Sequence, residues 1–446
     1  MVITTSTTKK EFAPEGDVRI LAEGVSISND TRLTKLNNND LIIGPTGAGK
    51  TRGYVIPNLL HSQESMLITD TKGNLRRKYG PYLRSRGYRV FDVDLTDMVH
   101  SPCGYDPLGY ISIDEKSGQP SEQDVLTVAC ALCPSEKGDW EPYWNQATQM
   151  SLAALIAFVL TRLKASERNM HSVSRLAELS GSKELATLFK DLSDVDPKSF
   201  AAREYHMVHI NDEAEKMVAS VRGILVNAIN PLSTEGARHL FTRNERVDFR
   251  RMGHEKTVVF LTVSDTDRSM DRLANLLYTQ AIHELVSEAD RCEDGRLPVP
   301  VRLILDDFAT NTVIPDFDKV VTTIRSRGVA VSLIIQDLSQ LRSLYRDSQA
   351  TTIANNCDTW LYLGGIDEMT ARTIARRLDK PATRVLEMSP DKAILLTRGS
   401  RARFVERYDL ETDEAYRKAR ECSQPNVPVP ESPAPAAIVP DGDIPL

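Results

Sequence analysis

Short apolar runs that stop abruptly at polar residues recur along the chain and set its architecture. Leu41-Ile-Ile43 is the first. Ser65-Met-Leu-Ile-Thr-Asp70, Arg89-Val-Phe-Asp-Val-Asp94 and Thr257-Val-Val-Phe-Leu-Thr-Val263 follow. Val301-Arg-Leu-Ile-Leu-Asp306, Val329-Ala-Val-Ser-Leu-Ile-Ile-Gln336, Thr359-Trp-Leu-Tyr-Leu-Gly364 and Ala393-Ile-Leu-Leu-Thr397 complete the set. Runs this short, rich in β-branched residues and apolar at consecutive positions, predict strands buried on both faces. Helical spacing between most of them makes the expected fold α/β, a doubly wound and mostly parallel sheet.

The stretch 112–250 differs. Strand signals are scarce there, and Trp140–Leu163, Val173–Leu192 and Asn211–Ile229 each predict a helix, with Asp194-Val-Asp-Pro197 as a turn. The expectation is an all-helical domain inserted into the α/β domain, starting after the Gly, Pro and Ser residues near 117–121. The chain then divides into a polar N-terminal segment (1–34), the first part of the α/β domain (35–111), the helical domain (112–250), the second part of the α/β domain (251–410) and a C-terminal segment (411–446). Seven prolines fall in the 22 residues from Pro425 onward. Proline donates no backbone hydrogen bond, so disorder is expected from about 425. The most apolar run, Ser151-Leu-Ala-Ala-Leu-Ile-Ala-Phe-Val-Leu160, lies between Gln149 and Arg162. It is shorter than the ~20 residues a membrane span needs, and reads as a buried core helix.

Composition narrows this modestly. A chain of 446 residues, 41% apolar and 26% charged, is that of a globular protein with two or three units. The formal charge of −7 argues against a uniformly basic coat but leaves room for a local basic path. Six cysteines do not form a disulfide framework. Cys130 and Cys133 make a single C-x-x-C, read as thiols on one helix rather than a zinc site, and a reducing cytoplasm fits.

The chemistry enters at Gly44-Pro45-Thr46-Gly47-Ala48-Gly49-Lys50-Thr51, which matches G-x-x-x-x-G-K-[ST] at each fixed position. It follows a predicted strand and precedes a helix-compatible segment. Backbone N–H groups of such a loop and the positive end of the helix cradle phosphates; Lys50 reaches the β- and γ-phosphates, and Thr51 holds Mg²⁺. ATP and Mg²⁺ are therefore the expected cofactors. Asp306 and Asp307 close a later apolar run, and Asp306 is the second expected metal ligand, with Asp307 orienting or deprotonating the attacking water. Gln336 ends the next strand, on the edge where doubly wound sheets bind ligands. Arg325, with Arg327 in reserve, is the candidate for an arginine donated to a neighbouring subunit's transition state. Asp70-Thr-Lys72-Gly73 closes the second strand. The basic run Arg76, Arg77, Lys78, Arg84, Arg86 and Arg89, interleaved with Tyr79, Tyr82 and Tyr88, suits single-stranded nucleic acid or a solvated helix face. A second basic cluster spans Arg372 to Arg407.

Together with Val55-Ile-Pro-Asn-Leu-Leu60, Tyr105-Asp-Pro-Leu108, Trp144-Asn-Gln-Ala147, Ile334-Ile-Gln-Asp-Leu-Ser-Gln-Leu341 and Ile353-Ala-Asn-Asn-Cys357, these motifs resemble the type IV secretion coupling ATPases, the TraG-like conjugative coupling proteins. The resemblance runs from about 35 to 400. It implies a RecA-like P-loop domain with an all-helical substrate-recognition domain, assembly into a homo-hexamer, and ATP-driven delivery of relaxase-bound single-stranded DNA or secreted proteins to the type IV secretion channel. The family's functional places fall on Lys50, Thr51, Asp306, Asp307 and Gln336, and Arg325 lies where a trans-acting arginine is proposed. Three departures accompany it. Transmembrane helices usual in the family are not seen, implying either a cytoplasmic variant held at the membrane's inner face by a partner or a chain lacking its anchor. Asp307 replaces the usual Glu and sets its carboxylate roughly 1.5 Å further back, one C–C bond, which implies slower hydrolysis. Thr71 replaces a frequent Pro. The alternatives are a nucleotide-binding docking adaptor with little hydrolysis and an FtsK-like double-stranded DNA pump.

Overall fold

The computed structural model describes residues 3–5, 17–134, 142–209, 215–308 and 314–423. Trp140, the first residues of the Asn211–Ile229 prediction and the proline-rich tail from Pro425 lie outside the described residues.

Along the chain, strands Ile3–Thr5 (β1), Val18–Ala22 (β2) and Val25–Ser28 (β3) form a small antiparallel sheet in the order β1-β3-β2. A single turn, Thr31–Thr34 (α1), leads to Asp40–Ile43 (β4), then Ile56–His61 (α2), Ser65–Asp70 (β5), Asn74–Ser85 (α3) and Arg89–Asp94 (β6). Seven α-helices of the described residues follow: Glu122–Leu132 (α4), Pro142–Arg162 (α5), Met170–Glu178 (α6), Lys183–Val195 (α7), Phe200–His209 (α8), Glu215–Ile229 (α9) and Glu235–Thr242 (α10). The chain returns through Thr257–Thr262 (β7), Asp271–Arg291 (α11), Val301–Leu305 (β8), Phe317–Thr323 (α12), Val329–Ile335 (β9), Leu338–Leu344 (α13), Asp347–Asn355 (α14) and Thr359–Tyr362 (β10). It continues with Glu368–Leu378 (α15), Ala382–Leu386 (α16), Lys392–Thr397 (β11), Arg403–Glu406 (β12) and Glu414–Cys422 (α17).

The nine strands from β4 onward form one sheet in the order β12-β11-β10-β4-β9-β8-β5-β7-β6. All pairings from β10 to β6 are parallel, and only the β10-β11-β12 flank is antiparallel. The two-residue period sends neighbouring residues of a strand to opposite faces. Leu41 and Ile43 join Leu303, Leu305, Leu333 and Ile335 on one face. Ile42 joins Ile304, Ile334 and Leu361 on the other, under α2, α3 and α17. Both faces are covered, which is why the strands read as unbroken apolar runs instead of alternating ones.

Helix α5 is the hub of the helical region, packing against α4, α6, α8 and α9. Leu152 to Leu160 are all buried, so the most apolar run of the chain is spent inside this bundle. Among the described residues no helix is long and apolar enough to cross a membrane. Two expectations change in detail. The single helix predicted over Val173–Leu192 is two, because Gly181 takes φ +79° and Ser182 caps a new start by accepting from the Leu185 N–H. The polar N-terminal segment contains strands: Arg19 is buried against Asp40, so its charge does not mark a surface.

The sheet meets the helices at Tyr105-Asp-Pro-Leu108. Asp106 accepts hydrogen bonds from the N–H of Met170 (3.0 Å) and of Leu108 (3.3 Å), so its carboxylate caps the start of α6. Tyr105 donates to Gln280 Oε1 at 2.6 Å, and Gln280 Nε2 donates to the Pro107 carbonyl at 2.9 Å, tying the same segment to α11.

Candidate functional site

Strand β4 sits between β9 and β10, with Ile43 level with both Ile335 and Tyr362. The loop that leaves it is therefore flanked by the carboxyl ends of both neighbours. Its first N–H, from Gly44, still donates to Ile335 at 3.1 Å, and the Leu363 N–H donates to Ile43 at 2.7 Å. The chain then turns tightly, the Ala48 N–H donating to Pro45 at 3.1 Å. Gly47 and Gly49 take φ of +80° and +79°, where a side chain would be strained. A Cβ on Gly44 would lie 3.0 Å from that of Leu363 and 3.1 Å from that of Ala48. Glycine at 44, 47 and 49 is thus required by the loop's own path.

After Lys50 the chain makes one π turn over Thr51–Val55 before α2, with the Ile56 N–H donating to Thr51. Tyr54, within this turn, is completely buried. Its hydroxyl lies 2.5 Å from Asp40 Oδ2 and 2.8 Å from Ser332 Oγ. Arg302 pairs with Glu64 at 2.6 Å and reaches Ser332 Oγ at 3.2 Å, and Arg19 pairs with Asp40 at 2.8 Å. This buried ionic cluster ties the turn after the loop to β4, β8 and β9 together. Loss of one member would strand a buried charge, at a cost of about 3–5 kcal/mol.

Lys50 is buried, and its ammonium donates to the carbonyls of Gly44 at 2.7 Å and Pro45 at 3.2 Å, inside the loop. Thr51 Oγ1 donates to Asp306 Oδ2 at 3.2 Å. Residues 255 positions apart are brought together because β8 and β4 flank β9. Burial, reinforced by the charge of Asp307, pushes the Asp306 carboxyl up to about 6, while the Thr51 hydroxyl and Lys50 pull the other way. A hydroxyl and a carboxylate with this spacing are hard oxygen donors of the kind Mg²⁺ takes. The glycine turn with an ammonium inside it suits a phosphate chain. The residues fit both groups.

Asp307 follows with φ 52°, in the left-handed region, and its N–H donates to Asp306 Oδ1 at 3.0 Å. Gln336 sits at the carboxyl end of β9, on the loop's side of the sheet, and its N–H donates to Gln340 Oε1 on α13 at 3.2 Å. Arg325 is elsewhere. It is exposed on the turn Ile324–Arg327 that precedes β9, at the amino ends of the strands, so it does not reach the loop of its own chain. Arg327 is paired with Asp290 at 2.8 Å.

Asp70 accepts from the N–H groups of Lys72, Asn74 and Leu75 at 3.3, 3.2 and 2.7 Å, and so caps α3. The basic run behind it is largely used in packing. Tyr79 and Tyr88 are buried, Arg86 donates to the carbonyls of Leu60 and Ser62, and Arg76 faces Asp92 at 3.4 Å. Of the second basic cluster, Arg377 stacks on Trp360 at 3.9 Å, and Arg398 pairs with Asp358 at 2.7 Å. Arg407 is the one that touches the loop, its Nη1 donating to the Ala48 carbonyl at 2.7 Å. A cation in a basic cluster carries no signal for such a contact in sequence alone.

The family model described as type IV secretory system conjugative DNA transfer matches residues 14–415. The chain belongs to that family. Protein VirD4 of Rhizobium radiobacter is 24% identical over 346 residues, covering 76% of this chain and 48% of VirD4. The conjugal transfer protein TraG of Escherichia coli is 23% identical over 323 residues, covering 68% of this chain and 49% of TraG. The chain thus spans about half the length of the curated relatives it matches. Among solved structures, the plasmid coupling protein TrwB in complex with ADP and Mg²⁺ superposes with a TM-score of 0.65 at 16% identity, over 91% of this chain and 93% of TrwB. VirB4 of Thermoanaerobacter pseudethanolicus follows the same fold less closely, with a TM-score of 0.54 at 11% identity over 89% of this chain and 97% of VirB4. The chain has the RecA-like P-loop fold seen in TrwB.

Proposed function

We propose that the chain is a P-loop ATPase that couples ATP hydrolysis to delivery of single-stranded DNA with its relaxase, or of protein substrates, to a type IV secretion channel. The observation that carries this reading is the 3.2 Å contact between Thr51 and Asp306, which joins the phosphate loop to the second acidic strand in a chain of the conjugative-transfer family. The relatives support the nucleotide: TrwB is known in complex with ADP and Mg²⁺ and with a non-hydrolysable ATP analogue.

Bound Mg·ATP supplies the phosphoanhydride to be cleaved and a cation that neutralises its charge. The chain supplies the rest. The loop from Gly44 to Thr51 holds the phosphates, and Lys50 exchanges its hold on the loop carbonyls for the β- and γ-phosphate oxygens. Thr51 and Asp306 would hold the metal. Asp307 orients the attacking water, and Gln336 reports on the γ-phosphate, its backbone N–H already tied to Gln340 on α13. Arg325, remote from its own loop, serves a neighbouring copy in a homo-hexameric ring. The helical region α4–α10 selects the substrate, and the assembly works at the inner face of the membrane.

The test is ATP hydrolysis by the purified chain with single-stranded DNA, with double-stranded DNA and with none, alongside Lys50→Ala. Turnover raised by single strands and lost in Lys50→Ala is expected. Hydrolysis that persists in Lys50→Ala overturns the site, stimulation by duplex alone points to a double-stranded DNA pump, and binding without turnover points to an adaptor. Particle size with and without ATP and single-stranded DNA tests the ring, and a persistent monomer contradicts it.

A further inference from the structure

The phosphate loop is gripped from its outer side by a residue that no motif contains. Arg407 follows β12, and all three of its guanidinium nitrogens donate to backbone carbonyls. Nη1 donates to Ala48 at 2.7 Å, Nε to Lys392 at 2.9 Å, and Nη2 to Leu363. One planar cation thereby joins the apex of the loop, the end of β10 and the start of β11. Its own backbone is fixed, because the Arg407 N–H donates to Asp391 at 3.1 Å and the Glu406 carbonyl accepts from the Glu23 N–H at 3.1 Å. The grip is therefore anchored to the sheet and to the β2–β3 turn.

The consequence for the loop is geometric. The Ala48–Gly49 peptide is trans, since the described residues contain no cis bond, so its C=O and N–H point in opposite directions. A carbonyl held outward by Arg407 sends the Gly49 N–H away from the guanidinium. Gly49 and its neighbours are the part of such a loop whose N–H groups cradle the α- and β-phosphates. Free rotation of this one peptide would replace a donor with a carbonyl oxygen facing an anion.

We infer that Arg407 is a positioning residue for nucleotide binding, acting through the Ala48–Gly49 peptide and serving phosphate affinity rather than phosphoryl transfer. This rests on the nucleotide reading above. The α- and β-phosphates are common to ATP and ADP, so both lose affinity without Arg407. The groups at Thr51, Asp306 and Gln336 lie toward the opposite flank of β4, so turnover at saturation is retained.

The experiment measures binding of a fluorescent ADP to the full chain, with steady-state ATP hydrolysis, for wild type, Arg407→Ala, Arg407→Lys and Glu406→Gln. Arg407→Ala is expected to weaken ADP and to raise KM for ATP by about tenfold, the scale of a lost charge-assisted hydrogen bond, with kcat within about twofold. Arg407→Lys keeps a charged donor and recovers part of the loss. Glu406→Gln breaks only the exposed Lys392–Glu406 pair on the same hairpin and leaves all three parameters unchanged. A wild-type ADP affinity and KM in Arg407→Ala overturn the inference alone, as does a fall in kcat at unchanged KM. If Arg407→Ala does not fold, Arg407→Lys decides by the same KM-against-kcat comparison. If wild type itself binds no ADP, the nucleotide reading falls and takes the inference with it.

Discussion

The two flanks of β4 are built differently, and the proposed function gives them different work. On one side β9, β8 and β5 continue the parallel order; β9 and β8 end in Gln336 and Asp306, and Asp306 reaches Thr51 of the loop. On the other side β10 is followed by the antiparallel β11 and β12, which present a Gly364-Gly365 turn and Arg407. In the proposed reading the parallel flank holds the side chains of hydrolysis. The antiparallel flank grips the loop by its backbone, through the Arg407 guanidinium donating to the Ala48 carbonyl. Chemistry and loop shape are thus assigned to opposite neighbours of one strand, and substitutions can separate them.

The largest effect is expected at the loop between the flanks. Lys50→Ala should lower turnover by more than about 100-fold, the scale of a lost transition-state donor, while circular dichroism and thermal midpoint stay near wild type. Asp306→Asn probes the parallel flank alone. It should lower kcat by about 100-fold and weaken the Mg²⁺ dependence of nucleotide binding, read by titrating the metal at fixed ATP, with affinity for metal-free ADP retained. Arg407→Ala is its mirror on the antiparallel flank, with the affinity loss described above. Asp307→Glu is a smaller perturbation. Position 307 is in the left-handed region, which Asp tolerates better than Glu, so single-turnover hydrolysis should fall by a few-fold. A gain would instead mark Asp307 as a brake and favour the adaptor.

The smallest effect lies away from both flanks, at the hinge to the helices. Burial raises the Asp106 carboxyl to about 6 against its ordinary 3.8, opposed by Arg246 and by the N–H groups of Met170 and Leu108. The folded chain therefore binds this proton more tightly than the unfolded chain. Its contribution favours folding below about pH 4 and is lost as pH rises through about 6. Asp106→Asn keeps the acceptor oxygen and removes the proton. Its thermal midpoint should change less steeply than that of wild type between pH 4 and 6, and nucleotide affinity should not change.

Legibility in the sequence followed the same division. Lys50, Thr51 and Gly44 lie within eight residues, and Asp306 and Gln336 end apolar runs, so strand ends and a short motif were enough to single them out. The contact of Arg407 to the loop was invisible because its partner Ala48 is 359 residues away and the acceptor is a carbonyl, which any residue type provides. β12 escaped because Arg403-Phe-Val-Glu406 is a short edge strand with only Val405 buried. β2 and β3 escaped because Arg19 and Asn29, polar in sequence, are buried and paired with each other at 2.7 Å. The break at Gly181 was hidden by helical spacing that continues on either side of it.

The most direct measurement is a paired one: kcat for ATP and the dissociation constant of metal-free ADP, determined together for Asp306→Asn and Arg407→Ala. Division of labour across β4 predicts that Asp306→Asn loses kcat and keeps ADP, and that Arg407→Ala loses ADP affinity and keeps kcat. If both variants lose the same parameter to the same degree, the two flanks do not divide the work and the account is wrong.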